Sequence, residues 1–422
     1  MKQQVSRFGW GIVSAAWLMT GAGRAEPAAA QECGSELFTP DPNPAAVEQL
    51  RDLRRSGEHA SAQLLQQLID TPRAVWLPGS SAQAVEETAR SVTRSAARTG
   101  GVPVLVAYNI PFRDCSGFSA GGATNTAEYL AWIDGLARGI GRREAIVILE
   151  PDALGIIPFH HDLQGNAEWC QPAEADPATS ADERFLQLQS ALDRLLEQPR
   201  VHVYLDGTHS GWLGAGDSAS RLVRAGVERA AGFFVNVSNY EPTPALEKYG
   251  SWISSCIAFA ANAADGGWRL GHYDYCGSQY YPADPKDFST WPATDAWYAA
   301  NLGTALPSVH FVIDTSRNGQ GHWQPPADAP SGDPQVWCNP PGRGAGERPT
   351  LHTGSELIDA LLWIKVPGES DGQCNRWAPP GSPDPARGYV DPAAGAWFPE
   401  VALELAQQAN PPFPQRGRAP HR

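Results

Sequence analysis

Acidic side chains follow the ends of several apolar runs in this sequence. Asp152 comes just after the run from Ile146 to Leu149, which stops at Pro151. Four large apolar residues without alternation predict a strand covered on both faces, as in parallel sheets, and proline cannot donate to a sheet ladder. Enzymes with parallel α/β sheets hold their chemistry at this end of the strands. Similar positions are occupied by Tyr108, Asp114, Asp206, His209, Asn239, Asp314, Glu369 and Asp371.

Carboxyl groups gathered at one edge of a sheet favour one kind of chemistry. Mutual repulsion and partial burial raise the pKa of some of them, so that one carboxylic acid keeps its proton near neutral pH. Glycosidic cleavage has this requirement, because one carboxyl group protonates the leaving oxygen while another carboxylate assists a water or attacks directly. The pattern therefore favours a hydrolase that works with paired carboxylates.

Three other interpretations stay open at this point. The acidic residues could bind Ca²⁺, although the sequence has no EF-hand-like alternation. Some of them could cap helices or pair with Arg113, Arg317 and Lys365. A Ser/His/Asp triad is conceivable, although no GxSxG elbow is present.

Seven apolar runs alternate with predicted helices, and this alternation indicates a parallel α/β sheet. The number of units favours a closed, TIM-like barrel in one catalytic domain over a doubly wound sheet, which would need a switch point. No GxGxxG or GxxxxGK[ST] follows a strand, so nucleotide binding has no support. A helix is predicted over residues 355–361. The predicted strands are residues 74–77, 104–110, 146–149, 201–205, 233–237, 309–313 and 362–366.

Composition predicts an exported protein. The net charge of −14 disfavours nucleic acid and anionic membrane surfaces as partners. Residues 1–30 have the positive start, apolar run and small residues of a signal peptide, and no other stretch is apolar enough to be a membrane anchor. We expect a catalytic domain over residues 31–411, a disordered tail over 412–422 and a monomer. The seven cysteines favour disulfides over metal ligation in an exported chain.

Several long motifs resemble glycoside hydrolase family 6, whose members are secreted cellulases that cut β-1,4-glucans. The resemblance covers roughly residues 40 to 410, in the family's order, and implies a distorted seven-stranded barrel. It also implies an inverting mechanism without metal or cofactor. The motifs are YNIPFRDCSG (108–117), ILEPDALG (148–155), YLDGTHSGWLG (204–214), NVSNYEPT (236–243), VIDTSRNG (312–319), WCNPPGRG (337–344), LWIKVPGESDG (362–372) and AGAWFPE (394–400).

The resemblance also implies roles in catalysis. Asp152 matches the general acid, and Asp114 matches the acidic neighbour whose charge keeps the pKa of that acid high. Asp371 matches the proposed base, a role that is debated because water can instead be activated through a chain. Tyr108 matches the tyrosine against which the scissile sugar is distorted, and Ser119 is a candidate for holding water.

Other residues match the family's substrate-binding groups. Asp206 matches an aspartate that is structural or binds below the cleft. The matches to stacking tryptophans are Trp76, Trp212 and Trp337. The matches to groups that hydrogen-bond sugar hydroxyls are His209, Asn239, Lys365 and Glu369.

Disulfides and departures from the pattern complete the expectations. The resemblance implies the pairs Cys115–Cys170 and Cys338–Cys374, and Cys256–Cys276 would close a short local loop, which leaves Cys33 over. Pro78 and Ala215 depart from the fungal pattern in ways that favour an endoglucanase. A cellobiohydrolase, or a glucan-binding protein without catalysis, stays as an alternative.

Overall fold

A seven-stranded parallel sheet forms the centre of the protein. The computed structural model describes residues 36–115, 117–327 and 329–414. The strands follow one another in the sheet in the same order as in the sequence, so every connection is a parallel crossover. The strands are β1 (Val75–Pro78), β2 (Val104–Tyr108), β3 (Ala145–Leu149), β4 (Val201–Asp206), β5 (Gly232–Val235), β6 (His310–Asp314) and β7 (Ile358–Leu362).

The strands are apolar because both faces of the sheet are covered. Every residue of β2 and β3 is buried, as expected for a parallel sheet packed on both sides. The register aligns the carboxyl ends: Pro78 lies beside Tyr108, and Asp314 lies beside Leu362. The loops that follow the strands therefore meet at one edge.

The sheet curls toward a barrel that is not fully closed. β1 and β7 are its two edges. Between them the described residues make one backbone hydrogen bond, from Ala74 N to Trp363 O (2.9 Å), and one side-chain bond, from Trp76 Nε1 to Ile364 O (2.7 Å). The predicted distorted seven-stranded barrel is confirmed in this form.

Helices cover the outside of the sheet. Helix α3 begins at the Ser81 N-cap, whose side chain accepts a hydrogen bond from Ala84 N, and ends at Gly100 in the left-handed conformation. It packs closely on α4, because a Cβ at Gly135 would lie 2.2 Å from Ala82 O. The helices are α1 (Pro44–Arg55), α2 (His59–Ile69), α3 (Ala82–Thr99), α4 (Thr126–Ile140), α5 (Ser180–Leu196), α6 (Ala215–Ala225), α7 (Thr243–Ala260), α8 (Pro292–Asn301) and α9 (Pro399–Gln407).

The end of the sheet differs from the prediction. The last strand is β7, four residues earlier than the predicted 362–366, and the predicted helix over 355–361 is wrong. The charged side chain of Asp359 interrupts the apolar pattern of this strand in the sequence. In the structure its carboxylate accepts a hydrogen bond from Tyr204 Oη and lies 2.7 Å from His310 Nδ1. Helix α8 was not predicted, and neither was a small parallel pair, Glu36–Leu37 with Gly101–Val102.

Two predictions concern segments near the ends of the sequence. The predicted signal peptide lies outside the described residues. The predicted tail begins at 412, yet Phe413 is buried, with its ring 6.5 Å from that of Trp363. In the described part of the chain no helix is long and apolar enough to cross a membrane.

Candidate active site

A tight turn after β3 presents Asp152. Glu150 and Asp152 both adopt positive φ, at 53° and 68°, which is costly for residues other than glycine and marks functional turns. The carboxylate of Asp206 holds the turn, since its Oδ2 accepts from Leu154 N (3.2 Å) and Gly155 N (3.3 Å). Asp152 itself is half-buried, and no described residue donates a hydrogen bond to its carboxyl group.

Burial and neighbouring negative charge favour the protonated form of Asp152. Burial raises its pKa well above the usual value, the charges of Asp206 and Asp114 raise it further, and Lys365 opposes them. Burial raises the pKa of Asp114 too, against a hydrogen bond from Ser119 N to its Oδ2 (2.7 Å). Ser119 thus contacts Asp114 through its backbone. The arrangement suits Asp152 to be a proton donor.

The loop after β2 carries Asp114 in a constrained conformation. Asp114 has φ 55°, and a Cβ at Gly117 would lie 2.4 Å from its Oδ2, so only glycine fits there. The disulfide Cys115–Cys170 ties this loop to the segment that follows the Asp152 turn. A covalent link therefore joins the Asp114 loop to the segment after the Asp152 turn.

Tyr108 lies between these loops. Its ring meets Trp76 edge to face at 5.1 Å, and the Arg113 guanidinium carbon lies 4.6 Å from the ring centre. Burial raises the pKa of its hydroxyl well above the usual value, and the charges of Asp152 and Asp114 add to this. The charges of Asp114 and Asp152 thus act on Tyr108, and that of Asp114 acts on Asp152, which places the three side chains near one another.

Asp371 is surrounded by donors. Arg317 Nη1 donates to both of its oxygens (2.9 and 2.8 Å), and Lys365 Nζ lies 3.2 Å from Oδ1. Oδ2 also accepts from Asn339 N (3.0 Å) and from Tyr240 Oη (3.4 Å). Few lone pairs remain for a water molecule.

The charge state of Asp371 follows from these partners. Burial alone would raise its pKa, but the charges of Arg317 and Lys365 outweigh burial and the pKa is lowered. A carboxylate held ionised by two cations is a weak proton acceptor. Asp371 is therefore better suited to fix charge and geometry than to remove a proton from water directly.

Trp212 and His209 lie next to the acid turn. The Trp212 ring packs on Gly155, where a Cβ would lie 2.4 Å from the ring. The His209 ring is 5.8 Å from that of Trp212, and its Nδ1 accepts from Gly211 N (3.2 Å). Burial lowers the pKa of His209 to about 3, with a smaller effect from His322. His209 is thus neutral, and the contact at Nδ1 assigns its proton to Nε2.

Three polar residues predicted to bind sugar have different surroundings. Lys365 is paired with Asp371. Glu369 is half-buried; its Oε1 lies 3.4 Å from Asn43 Nδ2, and burial raises its pKa. Asn239 is half-buried, and its amide donates to a nearby backbone carbonyl.

Trp337 belongs to the loop after β6, which touches the Asp114 loop. It is 37% exposed, and its ring centre lies 6.2 Å from that of Phe118, which is equally exposed. Phe118 also packs on Gly372, where a Cβ would lie 2.4 Å from the Phe118 Cβ. The disulfide Cys338–Cys374 joins the segments that carry Trp337 and Asp371. All three expected disulfides are present, the third being Cys256–Cys276.

Asp206 lies beneath the site and not in the cleft. Only 4% of it is exposed, and Thr208 N donates to its Oδ1 (2.8 Å) while Oδ2 holds Leu154 and Gly155. Burial raises its pKa to about 6, against these hydrogen bonds. Of the two roles that the resemblance allows, this position fits the structural one, in which Asp206 acts through the Asp152 turn.

Two buried charged residues support the same turns and were not singled out from the sequence. Arg184 donates to Ala153 O (2.9 Å), Ile156 O (2.8 Å) and Pro111 O (2.8 Å), so it joins the Asp152 turn to the Asp114 loop. An arginine inside a predicted helix carries no signal of this contact, because its partners are carbonyl groups far away in the sequence.

Glu150 is the second of these residues. Its Oε2 accepts from Asn109 N (2.8 Å) and Ile110 N (3.0 Å), which ties the end of β3 to the end of β2. Burial raises its pKa to about 7, and the hydrogen bonds and Arg184 oppose this. Its position in ILEPD, just before a proline at a strand end, was a signal that could have found it.

One group of described residues, Cys374, Asp384 and Asp391, has the composition of a metal site, but each member is already bonded to another residue. Cys374 is in a disulfide, and Asp384 accepts from Arg376 Nε (2.7 Å). Asn339 Nδ2 donates to Asp391 Oδ2 (2.9 Å). These contacts explain the cluster as a support for the loop around Asp371.

Comparison with known proteins identifies relatives of this chain. The chain is 33% identical to Endoglucanase A from Cellulomonas fimi over 82% of its length and 56% of the relative's, so it spans little more than half of that protein. It is 31% identical to a probable 1,4-beta-D-glucan cellobiohydrolase C from Neosartorya fischeri, covering 82% of this chain and 71% of that one.

Solved structures agree with these relatives. The endoglucanase Cel6 from Mycobacterium tuberculosis, solved with a methyl-cellobiosyl-thio-cellobioside, superposes with a TM-score of 0.62 at 31% identity. The match covers 89% of this chain and 98% of that one. The family model for glycosyl hydrolases family 6 matches residues 33–409, and the chain belongs to that family.

Proposed function

We propose that this protein is a β-1,4-glucanase that hydrolyses internal glucosidic bonds with inversion. The observation that carries the proposal is the environment of Asp152. It lies at a strand end with a free carboxyl group whose pKa is raised by burial and by Asp206 and Asp114. A group that only binds sugar has no use for a stored proton, whereas an acid catalyst requires one.

The proposed reaction assigns a role to each group. Asp152 donates its proton to the glycosidic oxygen, and the bond from that oxygen to the anomeric carbon breaks. A water attacks the opposite face of the anomeric carbon and loses a proton. Asp371 holds Arg317 and Lys365 in place, and Tyr108 packs against the distorted ring.

Asp114 is the better candidate to receive the proton of the water. The described residues donate one hydrogen bond to its carboxylate, from Ser119 N, whereas the oxygens of Asp371 are occupied by Arg317, Lys365 and Asn339. The transfer can pass through a second water, as inversion leaves room between the groups.

Endo action is the favoured mode. Relatives named endoglucanases match at 32–33% identity, although a cellobiohydrolase matches at 31%. The contact of Phe118 with Gly372 is made by one exposed ring on a loop rich in glycine and serine. A polysaccharide can displace such a contact more easily than a packed roof. A fall in viscosity of soluble cellulose that is faster than sugar release would support endo action, and cellobiose as sole early product would contradict it.

The decisive experiment replaces the acid. Asp152→Asn is expected to lower the release of reducing sugar from carboxymethylcellulose at least about a hundredfold. The matched control is Asp182→Asn, an exposed residue of α5 paired with Arg224, which should keep full activity. An NMR assay on a cello-oligosaccharide should first show the α-anomer. Equal activity of the two variants, or the β-anomer as first product, would overturn the mechanism.

We also propose that the protein is exported. Its three disulfides are of the kind that persists in oxidising compartments. Fractionation of cells that produce the full chain, followed by N-terminal sequencing of the exported form, tests this. Cleavage near Ala25 or Ala30 is expected, and intracellular retention of the full-length chain would contradict it.

A further inference from the structure

A turn at residues 278–281 lies against the loop that carries Trp212. Gln279 is fully buried, and its Nε2 donates to Ser210 O (2.8 Å) and Leu213 O (2.9 Å). The Tyr280 hydroxyl donates to Trp212 O (2.9 Å). Three hydrogen bonds therefore connect this turn to the backbone on both sides of Trp212.

The turn is also held from behind. The backbone at Ser278 pairs with Tyr281, and Ser278 O accepts from Thr294 Oγ1 (2.8 Å). Tyr298 Oη donates to Gly277 O (2.8 Å), and the neighbouring Cys276 is in a disulfide with Cys256 of α7. The turn is thus fixed relative to the Trp212 loop before any ligand arrives.

Tyr280 is exposed in spite of these constraints. It is 45% exposed, although its hydroxyl is satisfied by Trp212 O. Its ring lies beside Gly214, where a Cβ would be 3.7 Å from the Tyr280 Cδ2. A rigid ring with its polar end occupied and much of its surface in water has little to contribute to folding there, but it matches the apolar face of a sugar ring.

We propose that Tyr280 stacks on a glucose unit and extends the aromatic floor of the cleft beyond Trp212. The proposal rests on the proposed function, because it assumes a β-1,4-glucan in the cleft. The ligand is inferred to be the same glucan chain because Tyr280 is continuous with the cleft. Tyr280 is bonded to the residue that carries the neighbouring platform, and Trp212 in turn packs on the Asp152 turn at Gly155. We therefore expect a chain that lies on Trp212 and runs away from Asp152 to meet Tyr280 next.

The test measures binding without turnover. In the Asp152→Asn protein, the dissociation constants of cellotriose and cellohexaose are measured by calorimetry. The shorter ligand fits on the inner platforms, and the longer one reaches further along the cleft. Adding Tyr280→Ala should weaken cellohexaose about three- to tenfold, the range for loss of one aromatic contact, while cellotriose changes less than about twofold.

Two further variants separate stacking from structure. Tyr280→Phe keeps the ring and loses the bond to Trp212 O, so it should keep most of the affinity for cellohexaose. Phe288→Ala removes another ring of the same region with 48% exposure, and it should leave both constants unchanged. Thermal melting checks that each variant is folded.

Each outcome bears on the proposal. Selective loss for the longer ligand in Tyr280→Ala supports it. Equal weakening of both ligands, no weakening, or a loss in Tyr280→Phe as large as in Tyr280→Ala would overturn it. Hydrolysis by the otherwise unaltered protein is measured separately. If that protein binds cellohexaose without cutting it, the proposed function is contradicted, while the binding data still decide the role of Tyr280.

Discussion

Asp152 is half-buried and Asp371 is buried, and their pKa values move in opposite directions. Burial raises the pKa of each, and the sign of the neighbouring charge decides the result. Asp152 faces Asp206 and Asp114, whereas Asp371 faces Arg317 and Lys365. Two identical side chains therefore receive different tasks from their surroundings.

The pH dependence of activity should reveal the influence of Asp114. Its negative charge raises the pKa of Asp152, so Asp114→Asn should lower that pKa. The acid would then lose its proton earlier. The rate should fall because the proposed proton acceptor is lost, and the alkaline limb of the remaining kcat/KM profile should move to lower pH by about one unit. Profiles on a soluble glucan check this, with Asp182→Asn as control. A limb that stays in place, or moves to higher pH, would contradict the coupling.

Removal of the Asp371 charge should cost stability. Asp371→Asn leaves Arg317 buried with its main partner neutralised, a change that costs about 3–5 kcal/mol. Because the folded pKa of Asp371 is lowered, its contribution is present above the pKa of the unfolded chain and is lost as pH falls through the folded pKa. Urea unfolding at neutral and acidic pH should show a difference between variant and parent that shrinks in acid. A constant difference would contradict this account.

At the scale of elements, the turns after β2 and β3 behave as one unit. Glu150 joins the ends of the two strands, and Arg184 joins the loops that follow them. These contacts fix Asp152 relative to Asp114 from below, where no substrate reaches. Activity should thus depend on residues that never touch the glucan.

Glu150 gives this unit its own pH dependence. Its pKa is raised from 4.5 to about 7 in the folded protein, so ionisation destabilises the fold progressively as pH rises from 4.5 to 7, by about 3 kcal/mol at most. Glu150→Gln keeps an acceptor for Asn109 N and Ile110 N and removes the charge. It should gain stability relative to the parent at pH 8 but not at pH 4. Chemical unfolding at the two pH values checks this, and an equal effect at both would contradict it.

The sequence predicted most elements, and the failures have local causes. Strands such as β3 are continuous apolar runs, and Ser81 and Gly100 mark both ends of α3. The polar side chain of Asp359 hid β7. Helix α8 lies in an aromatic segment without clear periodicity. Arg184 acts through carbonyl groups distant in the sequence, which no local pattern encodes, whereas Arg317 pairs with a strand-end acid, as one of the interpretations from the sequence allowed.

At the scale of the molecule, two disulfides lie within a few residues of the site and one lies away from the carboxyl groups. Cys338–Cys374 is adjacent to Trp337 and to Asn339, which donates to Asp371. Replacing both cysteines by serine should lower the free energy of unfolding by about 3–4 kcal/mol. It should also lower kcat, even when kcat is measured well below the melting temperature of the variant.

The matched control is the double serine variant of Cys256–Cys276. It removes a link of similar kind, with a sequence separation of 20 compared with 36. It should lose stability but keep kcat on short substrates. Initial rates at a temperature where both variants are folded make the comparison, and equal kcat values would show that the link at Cys338 serves stability alone.

The open seam between β1 and β7 is covered by segments near the two ends of the described chain. One hydrophobic cluster covers Trp363 at that seam, and its members come from α1 and α2 near the start of the described chain and from α9 and Phe413 near its end. The barrel is therefore closed by these two segments of the described chain more than by its own ladder of hydrogen bonds. Trp76 and Lys365 lie on opposite sides of this seam. Deleting residues of either segment should therefore disturb the cleft as well as destabilise the fold.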